Sequence, residues 1–193
     1  MSPLWATVSD RSPKVSVLMT TYRHENFIRR ALDSVLEQQV DFDYRIVITE
    51  DGSDDATAAI VTDYARRHPD RIDAVCNETN RGSYPAAIQT WARATGQYYA
   101  FLDGDDYWDD PTKLQVEVEY LDRHPECVLV FHPVEVLAMD GASSILYPPR
   151  RKPRYTIRDL MQLPIMATSS VVARHSEGVP FPSWFDPDEG LPG

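Results

Sequence analysis

Short runs of consecutive apolar residues alternate with stretches in which apolar residues recur every third or fourth position. Lys14–Thr20 is the first run and reads as a strand. After a polar stretch from Thr21 to Asn26, Phe27, Ile28, Ala31, Leu32, Val35 and Leu36 fall on one face of a helix. Tyr44–Thr49 is the second strand, and Glu50–Asp55 an acidic turn. Ala56–Arg67 is the second helix, with Ile60, Val61, Tyr64 and Ala65 inward, and His68-Pro69 ends it. Ile72–Cys76 is the third strand. Pro85 suits the first turn of a third helix that buries Ala87, Ile88, Trp91 and Ala92 and stops at Gly96. Tyr98–Leu102 is the fourth strand, and Asp103–Asp110 a second acidic loop. Asp110-Pro111 caps and opens a fourth helix carrying Leu114, Val118 and Leu121, and Cys127–Phe131 is the fifth strand.

Strands alternating with helices predict an α/β fold, a mostly parallel doubly wound sheet flanked by helices, with right-handed crossovers. Beyond Asp140 the alternation fades. Pro148–Arg154 is a proline-broken basic segment, Ile157–Leu163 a short helix, Ser169–Ala173 a strand, and Val179–Gly193 irregular. The expected organisation is an extension over 1–13, an α/β part over 14–136 and a second part over 137–193.

Composition narrows the functional classes. The 193 residues are 42% hydrophobic and 25% charged, which suits one globular domain. Asp and Glu outnumber Lys and Arg by 30 to 19, for a net charge of −11. A nucleic-acid footprint is therefore absent. Cys76 and Cys127 make neither a disulfide framework nor a zinc site, so a reducing compartment, the cytoplasm, is the expectation. No apolar run approaches the roughly 18 residues of a membrane span, and the first residues lack the layout of a signal peptide.

The chemistry concentrates where the strands end. In open α/β sheets ligands bind beyond the carboxyl ends of the strands. Three loops leave from that edge: Thr21, Tyr22 and Glu25 in the first, Glu50–Asp55 in the second, Asp103–Asp110 in the third. The two acidic loops bring eight Asp and one Glu to one rim. So much like charge calls for a cation, and a hard divalent ion with oxygen ligands fits. Asp54, Asp55 and Asp110 suit helix caps. Asp51, Asp103 and Asp105 precede any helix and need another purpose. The calcium-loop spacing fails, since Trp108 or Ala56 stands at its glycine position. There is no glycine-rich phosphate cradle and no G-x-S-x-G elbow. A nucleotide here would be held through a metal.

Four segments in series resemble family 2 glycosyltransferases of the GT-A fold. They are Val15–Tyr22, Thr49–Thr57, Asn80-Arg81-Gly82 and Phe101–Trp108, within about residues 14–136. The resemblance implies that Asp51 hydrogen-bonds the nucleotide base, typically uracil, and that Thr21 and Tyr22 line the base pocket. It implies that Asp103 and Asp105 are the D-x-D pair, near the ribose and the metal-bound diphosphate, with Mg²⁺ or Mn²⁺ on Asp105 and Asp103. The chemistry agrees: a carboxylate accepts the imide N–H that uracil has and cytosine lacks. The implied reaction is inverting transfer of a sugar from a nucleotide sugar, UDP-linked by expectation, to the hydroxyl of a sugar or lipid-linked acceptor in cell-surface glycan synthesis.

Inversion in one displacement needs a general base. In the family that acid follows a Ser-Ser-x-x-x-Arg-like stretch, which Ser169–Arg174 resembles. After it this chain offers Asp188 and Glu189, weak candidates that also suit a solvated tail, and on the resemblance the chain is shortened at its C-terminus. The alternative function is therefore a nucleotide-sugar-binding module with little turnover. A nucleotidyltransferase or phosphatase fits less well, because the first strand ends in Thr20-Thr21-Tyr22. His132 reads as a strand-end histidine or a group near the acceptor. Arg81 reads as a loop cation or a contact to the sugar nucleotide, and Trp108 as a ring that stacks on a sugar face. Arg150, Arg151, Lys152 and Arg154 are a solvated loop or a peripheral contact with the inner face of an anionic membrane.

Overall fold

A computed structural model describes residues 12–138, 144–147, 152–162 and 166–175. In chain order the elements are β1 (Val15–Thr21), α1 (Ile28–Leu36), β2 (Tyr44–Glu50), α2 (Thr57–Arg67), β3 (Ile72–Cys76), α3 (Ser83–Arg93) and β4 (Tyr98–Phe101). They continue with α4 (Lys113–Arg123), β5 (Leu129–Val130), β6 (Val134–Leu137), β7 (Ser144–Tyr147), α5 (Ile157–Gln162), a 3₁₀ turn (Thr168–Ser170) and β8 (Val172–Arg174). The main sheet has six strands in the order β3-β2-β1-β4-β8-β5. β1 to β4 are mutually parallel, and β8 enters antiparallel between β4 and β5. The sheet is thus mostly parallel, as the alternation predicts. The ribbon β6-β7, paired antiparallel and outside the main sheet, carries no signal in the apolar pattern.

The period-2 alternation of β1 divides the core. Val15, Val17 and Met19 face one side, where Ile28, Leu32 and Val35 of α1, Ile60 and Val61 of α2, and Leu114, Val118 and Leu121 of α4 close over them. Leu18, with Val47 and Tyr99, faces the other side, against Ala94 and the partly buried Trp91. Covering both faces suits near-continuous apolar parallel strands.

Three readings are corrected. In α3 the inward residues are Ala86, Ile88 and Thr90, while Ala87 and Ala92 are exposed and Trp91 half-buried. The cause is a buried polar contact: Thr90 Oγ1 is 2.7 Å from Thr49 Oγ1 on β2 and 2.9 Å from the Ala86 carbonyl, and it turns this face of the helix inward. Gly96 is not needed as a helix stop. A Cβ there would lie 2.4 Å from the Ser16 backbone nitrogen, so glycine lets the start of β4 approach β1. The Ser169–Ala173 strand is split, because Ser169 and Ser170 form a buried turn before β8 begins.

β8 owes its place to Arg174. Its Nε donates to the Cys127 carbonyl at 2.9 Å, Nη1 to the Tyr98 hydroxyl at 3.0 Å, and Nη2 to the Leu121 and His124 carbonyls. One guanidinium thus gathers the carbonyls around the end of α4 and ties them to the inserted strand. Lysine, a point charge, cannot span these acceptors. Arg174→Lys is expected to lower the unfolding free energy by about 2 kcal/mol. Chemical denaturation measures it, and a loss below about 0.5 kcal/mol, the range of ordinary surface changes, would show the staple unimportant.

Candidate functional site

The carboxyl ends of β1, β2 and β4 lie side by side, and the three polar loops leave from them. The middle loop is built on Glu50, which is fully buried. Its carboxylate accepts the Gly52 N–H at 3.2 Å, the Ser53 N–H at 2.9 Å and the Ser53 hydroxyl. Gly52 has φ +70°, and a Cβ there would come within 2.4 Å of the Thr79 carbonyl carbon. Only glycine permits both the turn and the approach of the neighbouring loop.

Asp51 is 3% exposed and also faces that neighbouring loop. Oδ1 accepts from Asn77 Nδ2 at 2.9 Å and from the Arg81 N–H at 3.1 Å. Oδ2 accepts from the Arg81 N–H at 3.1 Å and the Gly82 N–H at 2.8 Å. The Asn80-Arg81-Gly82 loop is therefore hung on this carboxylate. The apolar pattern gives no sign of it, because the contact spans 30 residues.

The β1–α1 loop is stitched to the middle loop. Glu25 accepts the Ala56 N–H at 3.0 Å, and Asp55 accepts the Glu25 N–H at 3.3 Å. Arg23, at φ 56°, makes a two-pronged pair with Asp54 at 2.7 and 2.6 Å. Its guanidinium lies 5.2 Å from the ring centre of Tyr22. Asp54 is thus a clasp between loops rather than a cap. Asp55 and Asp110 do cap, accepting the Thr57 and Thr112 N–H groups at 2.9 and 2.8 Å.

The third loop is fixed by its own backbone. Gly104 N–H donates to the Thr20 carbonyl at 3.0 Å, and a Cβ at Gly104 would meet Thr21 Oγ1 at 2.4 Å. The residue between Asp103 and Asp105 must therefore be glycine, and Thr21 packs on the D-G-D turn itself. Asp103 is half-buried, with the Thr20 hydroxyl 3.5 Å away. Burial, and then the charges of Asp106 and Asp105, push its carboxyl above the usual carboxylate range. Asp105 is exposed, and His24 Nε2 stands 3.8 Å from it. His24, with Nδ1 3.2 Å from Thr21 Oγ1, is a rim residue that no sequence signal singles out.

Thr21, Tyr22, Asp51, Asp103 and Asp105 therefore gather on one edge. Among the described residues, no three His, Cys, Asp or Glu side chains are grouped to hold a metal by themselves. Trp108 is corrected: it is buried and donates Nε1–H to the Ser169 carbonyl at 2.7 Å, so it faces protein and not a sugar. The Arg81 side chain is exposed while its backbone is held. His132 is half-buried beside Glu117, 3.8 Å from its carboxylate. Lys152 pairs with Asp159 and Arg154 reaches Glu126 at 3.5 Å, so the described part of this basic stretch meets acids. Asp188, Glu189, Arg150 and Arg151 lie outside the described residues.

The glycosyl transferase family 2 model matches residues 16–172. An uncharacterised protein of Mycobacterium tuberculosis is 38% identical over 161 residues, 83% of this chain and 46% of its own length. The putative teichuronic acid biosynthesis glycosyltransferase TuaG of Bacillus subtilis is 33% identical over 67% of this chain and 50% of its own. Among solved structures, S. aureus TarS 1-349 in complex with UDP-GlcNAc superposes with a TM-score of 0.54 and 29% identity, over 61% of this chain and 33% of that one. The mannosyltransferase PcManGT from Pyrobaculum calidifontis, in complex with GDP-Man and Mn2+, shares the fold, with a TM-score of 0.61 at 21% identity over 86% of this chain and 45% of that one. The chain spans about half the length of the curated relatives it matches, 46% in the first case. With the family model covering most of the sheet and all three rim loops, the chain belongs to glycosyl transferase family 2.

Proposed function

We propose that the protein takes part in inverting transfer of a sugar from a UDP-sugar to an acceptor hydroxyl, with a divalent cation, in cell-surface glycan synthesis. The observation that carries this reading is the shared edge. The wall hung on Asp51 and the acidic D-G-D turn leave from neighbouring parallel strands, on the side where α/β sheets bind nucleotides. The UDP-GlcNAc complex of the 29% identical TarS chain supports uridine as the base.

The residues fit a hard cation. Asp103 and Asp105 offer oxygen ligands, and their mutual repulsion with Asp106 is what a positive charge relieves. Two carboxylates do not complete a cation's shell, so the sugar nucleotide's phosphates would supply the rest. Mg²⁺ or Mn²⁺ held by Asp105 and Asp103 would offset the charge that gathers on the departing diphosphate. The chain's own residues do the rest. Thr21, Tyr22 and the 80–82 loop enclose the base, and Asp51 takes the imide N–H in exchange for part of its hold on that loop, since protein donors occupy both its oxygens. Asp188 and Glu189 are this chain's candidates for the acceptor's general base.

The alternative reading is a module that binds nucleotide sugar without turning it over. Consumption of UDP-sugar by this chain separates the two. We place the protein in the cytoplasm, where Cys76 and Cys127 stay as thiols. Peripheral contact with a membrane, through the 150–154 segment, serves a lipid-linked acceptor. The described residues contain no helix long and apolar enough to cross a membrane.

UDP with Mn²⁺ is expected to stabilise the fold by about 2.7 kcal/mol at a hundred times Kd. UDP in EDTA should do far less, and Asp105→Asn should remove the metal-dependent part. Thermal shift with and without metal is the measurement, and equal shifts would end the metal reading. Asp51→Asn, which swaps an acceptor for a donor where the imide points, should weaken UDP about tenfold or more and CDP less. Titration calorimetry with both nucleotides decides; equal losses would show Asp51 acting only through the loop it holds.

Burial, with the neighbouring charges, also gives Asp103 a pH effect in the ligand-free protein. Its carboxyl titrates higher folded than unfolded, so the folded state binds the extra proton and this group destabilises the fold once ionised. Asp103→Asn should raise Tm at pH 7, and the gain should shrink as pH falls toward the ordinary Asp range near 4. A gain independent of pH would assign it to packing.

A further inference from the structure

Lys113 opens α4, yet its side chain is only 4% exposed. Nζ donates to Glu117 Oε2 at 2.7 Å, and Glu117 is itself 11% exposed. Burial pushes the lysine down from its usual range and the glutamate up, so both ions lose hydration here. Two apolar side chains of similar size would fill the space without that cost, so stability alone does not explain the pair.

What the ammonium faces does explain it. Nζ lies 4.3 Å from the ring centre of Trp108. That ring comes from the acidic loop three residues past Asp105, and its backbone N–H donates to Ser34 Oγ at 3.2 Å. Its Nε1–H donates to the Ser169 carbonyl at 2.7 Å, inside the buried turn that precedes β8. Trp108 is thus the bridge between the D-G-D loop and the inserted antiparallel strand. A cation over an indole face draws on the π density and makes the N–H a stronger donor. On the far side of Glu117, His132 Nδ1 is 2.9 Å from the Pro133 carbonyl and carries the proton there. Its buried Nε2 has no hydrogen-bond partner and stands 3.8 Å from Glu117 Oε1.

We propose that Lys113, anchored by Glu117, is a positioning residue: its charge holds the Trp108 indole against Ser169, so that the D-G-D loop and the turn before β8 keep one arrangement. The nucleotide consequence rests on the proposed sugar-nucleotide site; the hold on the indole does not.

The test uses the whole 193-residue chain. The Trp108 indole N–H is identified in an NMR spectrum by its loss in Trp108→Phe. In the wild type it should lie downfield and exchange slowly. In Lys113→Met, which keeps the length and removes the charge, it should move upfield and exchange about three- to tenfold faster, with Tm lowered because Glu117 loses its partner. The Kd for UDP with Mn²⁺ should rise by a similar factor, and Lys113→Arg should restore the indole signal at least in part. An unchanged indole signal in Lys113→Met overturns the proposal, whether or not UDP binds. If the wild type binds no UDP, the nucleotide reading fails while the indole result still decides the role of Lys113. Should Lys113→Met not fold, Glu117→Gln releases the anchor instead, and the same indole changes are expected; their absence overturns the proposal.

Discussion

Two carboxylates buried at the end of β2 have to be satisfied by hydrogen bonds, and satisfying them builds the site. A carboxylate taken out of water without partners is too costly to keep. Glu50 finds its partners within three residues and so folds the turn that Gly52 makes sharp. Asp51 finds its partners in the next loop and so draws 77–82 over the edge of the sheet. The pocket wall is a consequence of where negative charge was buried, and the rest of the rim is arranged around it.

The charges on the third loop have the opposite character. Asp103, Asp105 and Asp106 are crowded, and backbone contacts at Gly104 hold the turn against Thr20 and Thr21. Among the described residues, His24 offers a balancing charge there when protonated. Carboxylates at β2 thus shape the loops, while those after β4 stay crowded. On the proposed function, a cation that relieves this rim would also attract a diphosphate to a chain of net charge −11.

The inserted strand β8 ties this rim to the later part of the chain. Arg174 fixes its far end to the carbonyls at the end of α4, and Trp108 fixes its near end to the acidic loop. Both anchors meet α4, whose first residue, Lys113, lies over the indole and whose last turn receives the guanidinium. α4 therefore acts as the spacer between the acidic edge and the inserted strand.

The sequence by itself determined the order of strands and helices as far as β5. Periodicity of 2 or 3.6 is a local property, and each apolar face here answers to one sheet. It also determined which loops carry the acids, because Asp51, Asp103 and Asp105 directly follow apolar runs. Only the tertiary structure decided what those acids do. That Asp51 holds a loop 30 residues away, that Asp54 clasps Arg23, and that Gly104 is glycine because Thr21 lies against it are contacts between segments distant along the chain. The same holds for Trp108, which reads as a surface ring beside acids until Ser169 and Lys113 are seen to enclose it. β8 shows the limit most plainly. The apolar run announces a strand over Ser169–Ala173, but its antiparallel place between β4 and β5 depends on acceptors that exist only once α4 has ended beside it.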